Sequence, residues 1–221
     1  VAAATTISIA GRMLADEAVA VLDNLEHGDL DQARRRLRSL VGRDTTELDE
    51  SDIARAVIES LAENTVDAVI APLWWGAVAG APGVLAHRAV NTLDAMVGHR
   101  SRRYEQFGWA SARLDDIMNF LPARIAAIAV AALRPHRLGP IVRAVRHDAP
   151  AHPSPNGGVI EAATAAALGI RLGGENRYDG RPESRGTLGV GPDPTIDDAR
   201  RAITLTTAIG VLVALGVAAV G

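Results

Sequence analysis

The sequence predicts an all-α, polytopic helical membrane protein with broken or re-entrant helices and polar cytoplasmic loops, organised as a single domain. Hydrophobic residues make up 48% of the chain but aromatic residues only 3%, so small side chains supply most of the apolar surface. Small side chains allow the close helix approach that is typical of helices packed in lipid. Ala68 to Ala86 is a run of 19 uncharged residues, and Ala202 to Gly221 is a second run, of 20. Each run is long enough to cross the hydrocarbon core.

The first part of the chain has the pattern of amphipathic helices. Apolar residues recur at helical spacing from Ile7 to Leu40, and His27-Gly28-Asp29 interrupts them, which predicts two helices in a hairpin. A polar turn follows, and Asp49-Glu50-Ser51-Asp52 supplies N-cap residues for a third helix. That helix leads directly into the first uncharged run.

The membrane segments are expected to be interrupted. Two prolines and three glycines fall within Ala68 to Ala86, and lipid tolerates a broken helix only where protein or a water-filled cavity satisfies the freed backbone groups. Arg200 and Arg201 precede the last run, so the positive-inside rule places them on the cytoplasmic side. The predicted division is residues 1–67 as amphipathic cytoplasmic helices, 68–86, 120–133 and 202–221 as membrane segments, and 134–201 as a polar cytoplasmic region.

Composition excludes several kinds of chemistry. The net charge of −3 offers no basic face for nucleic acid, and we expect no nucleic-acid partner. All 23 cationic side chains are arginine, which excludes lysine Schiff bases, a lysine general base and a P-loop lysine. The chain has no cysteine, so disulfides, thiolate nucleophiles and cysteine-ligated metals are excluded as well. Any phosphate must be bound by arginine, backbone amides or a metal ion.

An acidic stripe lies just before the first uncharged run. Four ionisable residues are spaced four apart and share one helix face, namely Arg55, Glu59, Glu63 and Asp67. With Asn64 beside them, the two glutamates have a spacing that can hold a hard cation such as Mg²⁺. The alternative is a solvated helix face in which Arg55 and Glu59 form an ordinary ion pair.

A second acidic cluster, Asp115-Asp116 followed by Asn119, comes just ahead of the apolar stretch that begins at Phe120. Adjacent carboxylates with an amide one turn later commonly hold Mg²⁺ against substrate phosphates. Acidic residues at a helix N-terminus also stabilise the helix dipole with no ligand present. The sequence leaves both interpretations open.

Two glycine-containing segments are candidates for anion binding. His152-Pro153-Ser154-Pro155-Asn156-Gly157-Gly158 precedes a predicted helix over Val159 to Leu168, and amides in such a turn form a nest that suits phosphate or carboxylate. Leu172-Gly173-Gly174-Glu175-Asn176 is predicted as a similar but weaker loop. The alternative for both segments is simple turn chemistry.

A further polar island, with Asn91, Asp94 and His99, follows the first uncharged run. His99 and His152 are acid-base candidates, although the spacing of the six histidines gives no metal motif. The aromatic residues, Tyr104 among them, are expected to anchor the chain at a membrane interface or to fill the core.

Several strings carry a family resemblance. They are Arg34 to Leu40 with Val41-Gly42-Arg43-Asp44-Thr45, Ile53-Ala54-Arg55, Glu59-Ser60-Leu61-Ala62-Glu63-Asn64, Ala71-Pro72-Leu73, Asn91 to Gly98, Leu114 to Asn119 with Pro122-Ala123-Arg124, His152 to Gly158, and Leu172-Gly173-Gly174. In this order they closely resemble the adenosylcobinamide-phosphate synthase family of cobalamin biosynthesis (CbiB/CobD). The resemblance covers essentially the whole chain. Family members carry further membrane-spanning sequence upstream, so we expect an N-terminally truncated member.

The resemblance implies an ATP-dependent ligase of the cell (inner) membrane, multi-pass, with an active site that faces the cytoplasm. Such an enzyme joins an amino-alcohol phosphate, aminopropanol phosphate or a relative, to adenosylcobyric acid through an amide bond. The implied cofactors are ATP and Mg²⁺, and the corrinoid is a substrate rather than a prosthetic group. Membrane lipid and a second copy in a homo-oligomer are further expected partners.

Site roles are hypotheses on the matched positions. Glu59, Glu63 and Asp116 are assigned to catalysis, and the oxygen ligands of Mg²⁺ are expected among Glu59, Glu63, Asp115, Asp116 and Asn119. Arginine makes bidentate contacts with phosphate and carboxylate, and amides and polar side chains support it. The expected substrate-binding and phosphate-binding residues are Arg43, Asp44, Arg55, Asn64, Asn91, Asp94, Arg124, His152, Ser154, Asn156 and Gly157.

Two other functions fit parts of the pattern. A Mg²⁺-dependent membrane prenyltransferase would also use the acidic clusters, but two Phe and two Tyr provide few aromatic faces to guard a carbocation. An ion-coupled transporter would also place carboxylates at membrane depth. Transporters of that kind commonly show inverted repeats, and the sequence shows no internal repeat.

Overall fold

The chain folds into a bundle of helices with one small β-hairpin. The computed structural model describes residues 10–98, 107–178 and 180–220. The helices are α1 (Gly11–Glu26), α2 (Leu30–Leu37), α3 (Glu50–Thr65), α4 (Ala71–Leu93), α5 (Phe107–Leu133), α6 (Leu138–His147), α7 (Gly157–Leu168) and α8 (Ile196–Val220), and the strands are β1 (Leu172–Tyr178) and β2 (Arg181–Leu188). The predicted helical class is confirmed.

Side-chain caps fix the starts of the first helices. Asp29 accepts a hydrogen bond from the Gln32 amide at 2.9 Å and begins α2, and Asp49 accepts one from the Asp52 amide at 2.8 Å and begins α3. Gly28 has φ +75° between α1 and α2, a conformation that glycine adopts without steric cost. The predicted helical hairpin and the predicted cap of the third helix are therefore confirmed.

Helices α3, α7 and α8 form the centre of the molecule. Ile53, Ile58 and Leu61 of α3 are fully or almost fully buried, and so are Leu205 and Ile209 of α8. Every residue of α7 is buried, because its alanines and glycines allow α5 and α6 to pack closely against it. Helix α7 is thus enclosed by its neighbours.

The connection from α3 to α4 is interrupted, as the sequence predicts. A π-helical turn, Val66–Ile70, follows α3, and a kink inside α4 lies at Gly80, where φ is +65° and ψ is −154°. Only glycine adopts that backbone region readily. Pro82 follows two residues later and cannot donate the next backbone hydrogen bond. The predicted broken helix is confirmed.

Within the described residues, three helical segments are long and apolar enough to cross a membrane: Glu50–Met96, Gly108–Leu133 and Ile196–Ala219. Only 28%, 33% and 22% of their most apolar windows are buried inside the protein. Most of this apolar surface therefore faces outward, where large side chains such as Val78, Ile128 and Leu215 are exposed. A lipid environment would cover it.

The β-hairpin is a departure from the sequence prediction. Leu172-Gly173-Gly174-Glu175-Asn176 was expected as a loop, but it forms β1 and pairs antiparallel with β2. The prediction was wrong because the segment lacks apolar alternation, and its pairing depends on β2 and on contacts with α3. A bulge lies between Gly173 and Glu175, where Gly173 and Gly174 have positive φ.

The acidic cluster ahead of Phe120 also has a different setting from the one expected. Helix α5 begins at Phe107, so Asp115 and Asp116 lie two turns inside the helix and not at its N-terminus. Their charges therefore do not act on the start of the helix dipole, whose effect is confined to the first turn.

We predict that Ile58→Ala lowers the free energy of unfolding by about 2 to 5 kcal/mol, because Ile58 is fully buried and the substitution leaves a cavity. The measurement is a denaturant titration of the chain in detergent micelles. The matched control is Ile128→Ala on α5, whose side chain is 69% exposed. Equal losses in the two variants would contradict the described packing.

Candidate functional site

A group of charged and polar side chains lies where α3, α7 and the β-hairpin meet. We call this group the central cluster. It contains three carboxylates, two guanidiniums, one imidazole and one amide, which belong to Glu59, Glu63, Glu161, Arg43, Arg185, His152 and Asn176. Helix α3 supplies two of the carboxylates one turn apart. Arg43 comes from the loop before α3, and the remaining members come from distant parts of the chain.

Arg43 and Glu59 form a buried ion pair on one side of the central cluster. Their side chains are 4% and 1% exposed. Arg43 also donates to Asn176 Oδ1 at 2.7 Å, and the amide of Gly173 donates to Glu59 Oε1 at 2.8 Å. These contacts attach β1 to α3 and neutralise both charges, as buried ion pairs require.

Glu161 and His152 lie on the other side of the central cluster, and both side chains are almost completely buried. His152 Nε2 is 3.4 Å from Glu161 Oε1. Arg185 of β2 approaches Glu63 Oε1 at 3.5 Å and Glu161 Oε1 at 3.9 Å. Three buried atoms here have no hydrogen-bond partner within the described part of the chain: the two carboxylate oxygens of Glu161 and Nε2 of His152.

Burial and charge shift the pKa values of these groups. Burial, together with the charges of Glu63 and Glu59, raises the pKa of Glu161 well above its ordinary value. Burial lowers the pKa of His152. Burial works against the charge of Arg185, yet the neighbouring carboxylates, Glu63 first, raise its pKa above the ordinary value. The imidazole is therefore neutral at pH 7 and Arg185 is charged.

The glycines at the start of α7 permit the close packing around His152 and Glu63. A Cβ atom at Gly157 would lie 2.7 Å from Glu63 Oε1 and 3.0 Å from His152 Cε1. One at Gly158 would lie 2.7 Å from the Cβ of His152. Any larger residue would push the carboxylate and the imidazole away from α7.

Two clefts open beside Arg55. One has a volume of about 380 Å³ and the other about 400 Å³. Arg55, Asp52 and Glu175 line both clefts. Arg55 itself donates to the carbonyl oxygen of Gly173 and to Asp52 Oδ1. Asp44 and Arg43 line the second cleft, so it lies directly beside the central cluster.

A second polar group lies among the membrane-length helices, and we call it the helix cluster: Asp67, His87, Asn91, Asp115 and Asn119. Asn119 is its centre. The Nδ2 group of Asn119 donates to Asp67 Oδ1 and to Asp115 Oδ2, both at 3.0 Å, and its Oδ1 lies 2.9 Å from His87 Nε2. Asn91 Nδ2 donates to Asp115 Oδ1 at 3.3 Å.

The loop before α7 joins α5 to the central cluster. Arg124 donates to Asn156 Oδ1 at 2.6 Å, and Asn156 Nδ2 donates to the carbonyl oxygen of Asp116 at 2.8 Å. The hydroxyl of Ser154 accepts from the amides of Asn156 and Gly157 at 3.3 and 3.0 Å. The predicted anion nest is therefore filled by its own serine.

The predicted site residues fall into separate groups. Glu59, Glu63, Arg43 and His152 meet in the central cluster, whereas Asp115, Asn119 and Asn91 meet in the helix cluster. The remaining predicted residues make the following contacts. Asn64 donates to Ser60 on its own helix, and Asp44 accepts from the Gly180 amide at 2.9 Å. Asp116 pairs with Arg113 at 3.8 Å. Asp94 begins the π-helical turn that follows α4. His99 and Tyr104 lie outside the described residues.

Sequence reasoning missed Glu161, Arg185, Asn176 and His87. Glu161 carried a usable signal, because it is the one charged residue in the otherwise apolar and alanine-rich segment that forms α7. A lone carboxylate in such a segment has to be satisfied by a partner or a ligand. Arg185 carried none, since arginine is common in polar, glycine-rich segments and the fold alone brings it to the cluster.

Comparisons with known proteins agree with the predicted family. The profile of the family described as "CobD/Cbib protein" matches residues 1–206. The relatives that follow are each named "Cobalamin biosynthesis protein CobD". The Mycobacterium tuberculosis (strain H37Rv) relative is 48% identical over 211 residues, which are 94% of this chain and 67% of the relative. The Rhodobacter capsulatus relative is 46% identical over 198 residues, 89% of this chain and 63% of the relative.

The Chromobacterium violaceum relative is 48% identical over 199 residues, 90% of this chain and 63% of the relative. The chain therefore spans about two thirds of the length of the curated relatives that it matches. No solved structure matches it. On the profile match and the identity to these relatives, the chain belongs to the CobD/CbiB family of cobalamin biosynthesis.

Proposed function

We propose that the chain acts in cobalamin biosynthesis as part of an adenosylcobinamide-phosphate synthase. It would use ATP to join an amino-alcohol phosphate, aminopropanol phosphate or a relative, to adenosylcobyric acid. Family membership supports the pathway. The observation that carries the reaction is the buried central cluster with the cleft beside it, which Arg43 and Asn176 of the cluster line together with Arg55. This cleft, and the second one beside Arg55, are large enough for a phosphorylated small molecule.

Amide formation sets clear chemical demands on a site. A carboxylate has to be activated by transfer of a phosphoryl group, after which the amine nitrogen attacks the acyl carbon and phosphate leaves. The attacking amine also has to lose a proton to a base. A site for this reaction therefore needs cations or amides that face phosphate oxygens and a carboxylate or imidazole that is free to accept a proton.

Glu63 suits the role of base better than the other predicted acids. Its side chain is 34% exposed and its ion pair with Arg185 is long, at 3.5 Å. Glu59 is 1% exposed and is held by Arg43 and by the Gly173 amide, so it would position Arg43 and β1. Asp116 lies on α5, where its ion-pair partner is Arg113.

The clefts suit the smaller substrates. Volumes of about 380 and 400 Å³ fall at the lower end of the range of small-molecule pockets. An amino-alcohol phosphate or the phosphate groups of ATP would fit beside Arg55, and Arg171 and Arg177 extend the cationic lining. A corrinoid is far larger and would bind across the open surface at the cleft mouth.

The proposed Mg²⁺ would enter with the nucleotide. The five ligands expected from the sequence do not form one group, since Glu59 and Glu63 belong to the central cluster and Asp115 and Asn119 to the helix cluster. Asp52 and Glu175 line both clefts, and their carboxylates are the oxygen ligands that Mg²⁺ prefers. The ion would supply charge neutralisation at the transferring phosphoryl group.

We further propose that the chain is a multi-pass protein of the inner membrane whose site faces the cytoplasm. The three long apolar segments support the membrane location. Arg200 and Arg201 at the start of α8 support a cytoplasmic location for that end of the bundle. Arg200 pairs there with Asp23 and Glu26 of α1, at 2.8 and 2.7 Å. The central cluster would then face the compartment that contains ATP.

The reaction is tested by incubating the protein with adenosylcobyric acid, aminopropanol phosphate, ATP and Mg²⁺ and detecting the amide by mass spectrometry. We predict that Glu63→Gln lowers turnover at least about 100-fold, because the amide cannot accept the proton of the amine. The matched control is Glu17→Gln on α1, whose carboxylate is 35% exposed and pairs with Arg36 at 3.3 Å. Turnover in Glu63→Gln equal to that of the control would reject the assignment.

We predict that Arg55→Lys raises the KM for ATP or for aminopropanol phosphate about tenfold, because lysine cannot reproduce the planar guanidinium at the cleft wall. Arg34→Lys is the matched control. Arg34 also pairs with the aspartate three residues before it and donates to a distant backbone carbonyl, that of Leu48 at 2.8 Å, but it lines neither cleft. Unchanged KM values for both substrates in Arg55→Lys would exclude phosphate binding at this residue.

A further inference from the structure

The side of the central cluster that contains Glu63, His152 and Glu161 has the geometry of a metal site. Donor atoms of the three residues all lie within 4.8 Å of one another. Ions such as Zn²⁺ bind carboxylate oxygen and imidazole nitrogen at 2.0 to 2.2 Å, which places neighbouring donors roughly 3 to 4 Å apart. The separation of 3.4 Å between His152 Nε2 and Glu161 Oε1 falls in that range.

The donors are buried and lack other bonding partners. The side chains of His152 and Glu161 are 1% and 0% exposed, and His152 Nε2 and both carboxylate oxygens of Glu161 make no hydrogen bond to any described residue. Buried polar atoms in native proteins are nearly always satisfied. A cation between the two side chains would satisfy His152 Nε2 and a carboxylate oxygen of Glu161 at once.

The backbone of Ser154 holds the His152 ring at Nδ1. This nitrogen lies 3.1 Å from the carbonyl oxygen of Ser154 and 3.1 Å from the Ser154 amide nitrogen, which can donate to it. A metal-binding histidine almost always donates its second ring N–H to a carbonyl or carboxylate, which leaves the lone pair of the other nitrogen free for the ion. Binding of a cation would select the tautomer with the proton on Nδ1, in which the Nε2 lone pair of His152 faces Glu161 at 3.4 Å.

The charges of the central cluster are unequal. Three acidic side chains, those of Glu59, Glu63 and Glu161, face two guanidiniums, those of Arg43 and Arg185. Glu183 adds a further carboxylate at the rim, 3.7 Å from Arg185. The Arg43 guanidinium is already engaged by Glu59 and Asn176. Glu63 and Glu161 therefore share only the distant Arg185.

From these observations we propose that Glu63, His152 and Glu161 bind one divalent first-row transition metal ion, of the Zn²⁺ or Mn²⁺ class. The imidazole and the two carboxylates together favour such an ion over Mg²⁺, which prefers oxygen ligands alone. The ion would join α3, the loop before α7 and α7 itself, and Arg185 would occupy part of its place when the metal is absent. Binding of the ion does not depend on the proposed reaction, and a single ligand oxygen from Glu63 would leave its other carboxylate oxygen for the proposed role as base.

The test is calorimetric titration of ZnCl₂ into the metal-free chain in detergent micelles, without a polyhistidine tag, ATP or corrinoid. We expect saturable binding of one ion per chain and a higher thermal midpoint with Zn²⁺ than with Mg²⁺. Glu161→Gln should weaken Zn²⁺ binding at least about tenfold. The matched control is Glu183→Gln, which removes a carboxylate that pairs with the same Arg185 but lies outside the three ligands, and it should change the affinity less than about threefold.

Arg185→Met distinguishes a metal site from a simple ion-pair cluster. If Arg185 and the metal compete for the same carboxylates, removal of the guanidinium tightens Zn²⁺ binding. Co²⁺ absorption spectra of the wild-type chain provide a check that needs no variant, because protein-bound Co²⁺ of low coordination number absorbs far more strongly than the aqueous ion. No saturable binding to the wild type, equal effects of Glu161→Gln and Glu183→Gln, weaker binding by Arg185→Met, or a Co²⁺ spectrum like that of the aqueous ion would each overturn the proposal.

Discussion

The structure depends on how the buried charges between α3, α7 and the β-hairpin are balanced. Glu59 and Glu161 are fully buried, and an unpaired carboxylate at such a position would cost several kcal/mol. Glu59 is satisfied by Arg43 and by the Gly173 amide. Glu161 has longer contacts, with His152 at 3.4 Å and Arg185 at 3.9 Å, and lies beside the Glu63 carboxylate. The charge of Glu59 is thus closely paired, whereas the group around Glu161 and Glu63 is held less tightly.

This balance explains why a short hairpin is attached to a helical bundle. Two-stranded hairpins have little stability in isolation, and β1 and β2 carry few apolar side chains. Arg43, Arg55 and Glu59 bind the backbone and Asn176 of β1, while Arg185 of β2 reaches Glu63. The hairpin in turn forms one wall of both clefts. The same contacts therefore stabilise the buried charges and shape the two clefts.

The helix cluster is a second place where polar groups are paired inside apolar surroundings. Asn119 bonds Asp67, Asp115 and His87 at once, while Nδ1 of His87 has no partner among the described residues. A low dielectric strengthens hydrogen bonds in such a network. Asn156 connects the two clusters structurally, because it bonds the backbone of α5 and lies at the start of α7. The outer faces of the same helices remain apolar and are left for lipid.

Local sequence was sufficient for features that depend on neighbouring residues. The helical class, the hairpin of α1 and α2, the cap at Asp49 and the break in α4 follow from periodicity, capping residues and glycine and proline positions, all of which act within a few residues. Motif order likewise indicated the family. The spacing of Glu59 and Glu63 placed both on one helix face. The partners of these residues could not be read in this way, since Asn176 lies 133 residues from Arg43 and Gly173 lies 114 residues from Glu59. Only tertiary packing decided that Glu161 and Arg185 join them, that Asp115 belongs to another group, and that a glycine-rich segment becomes a strand, because burial and long-range pairing overrule local preference.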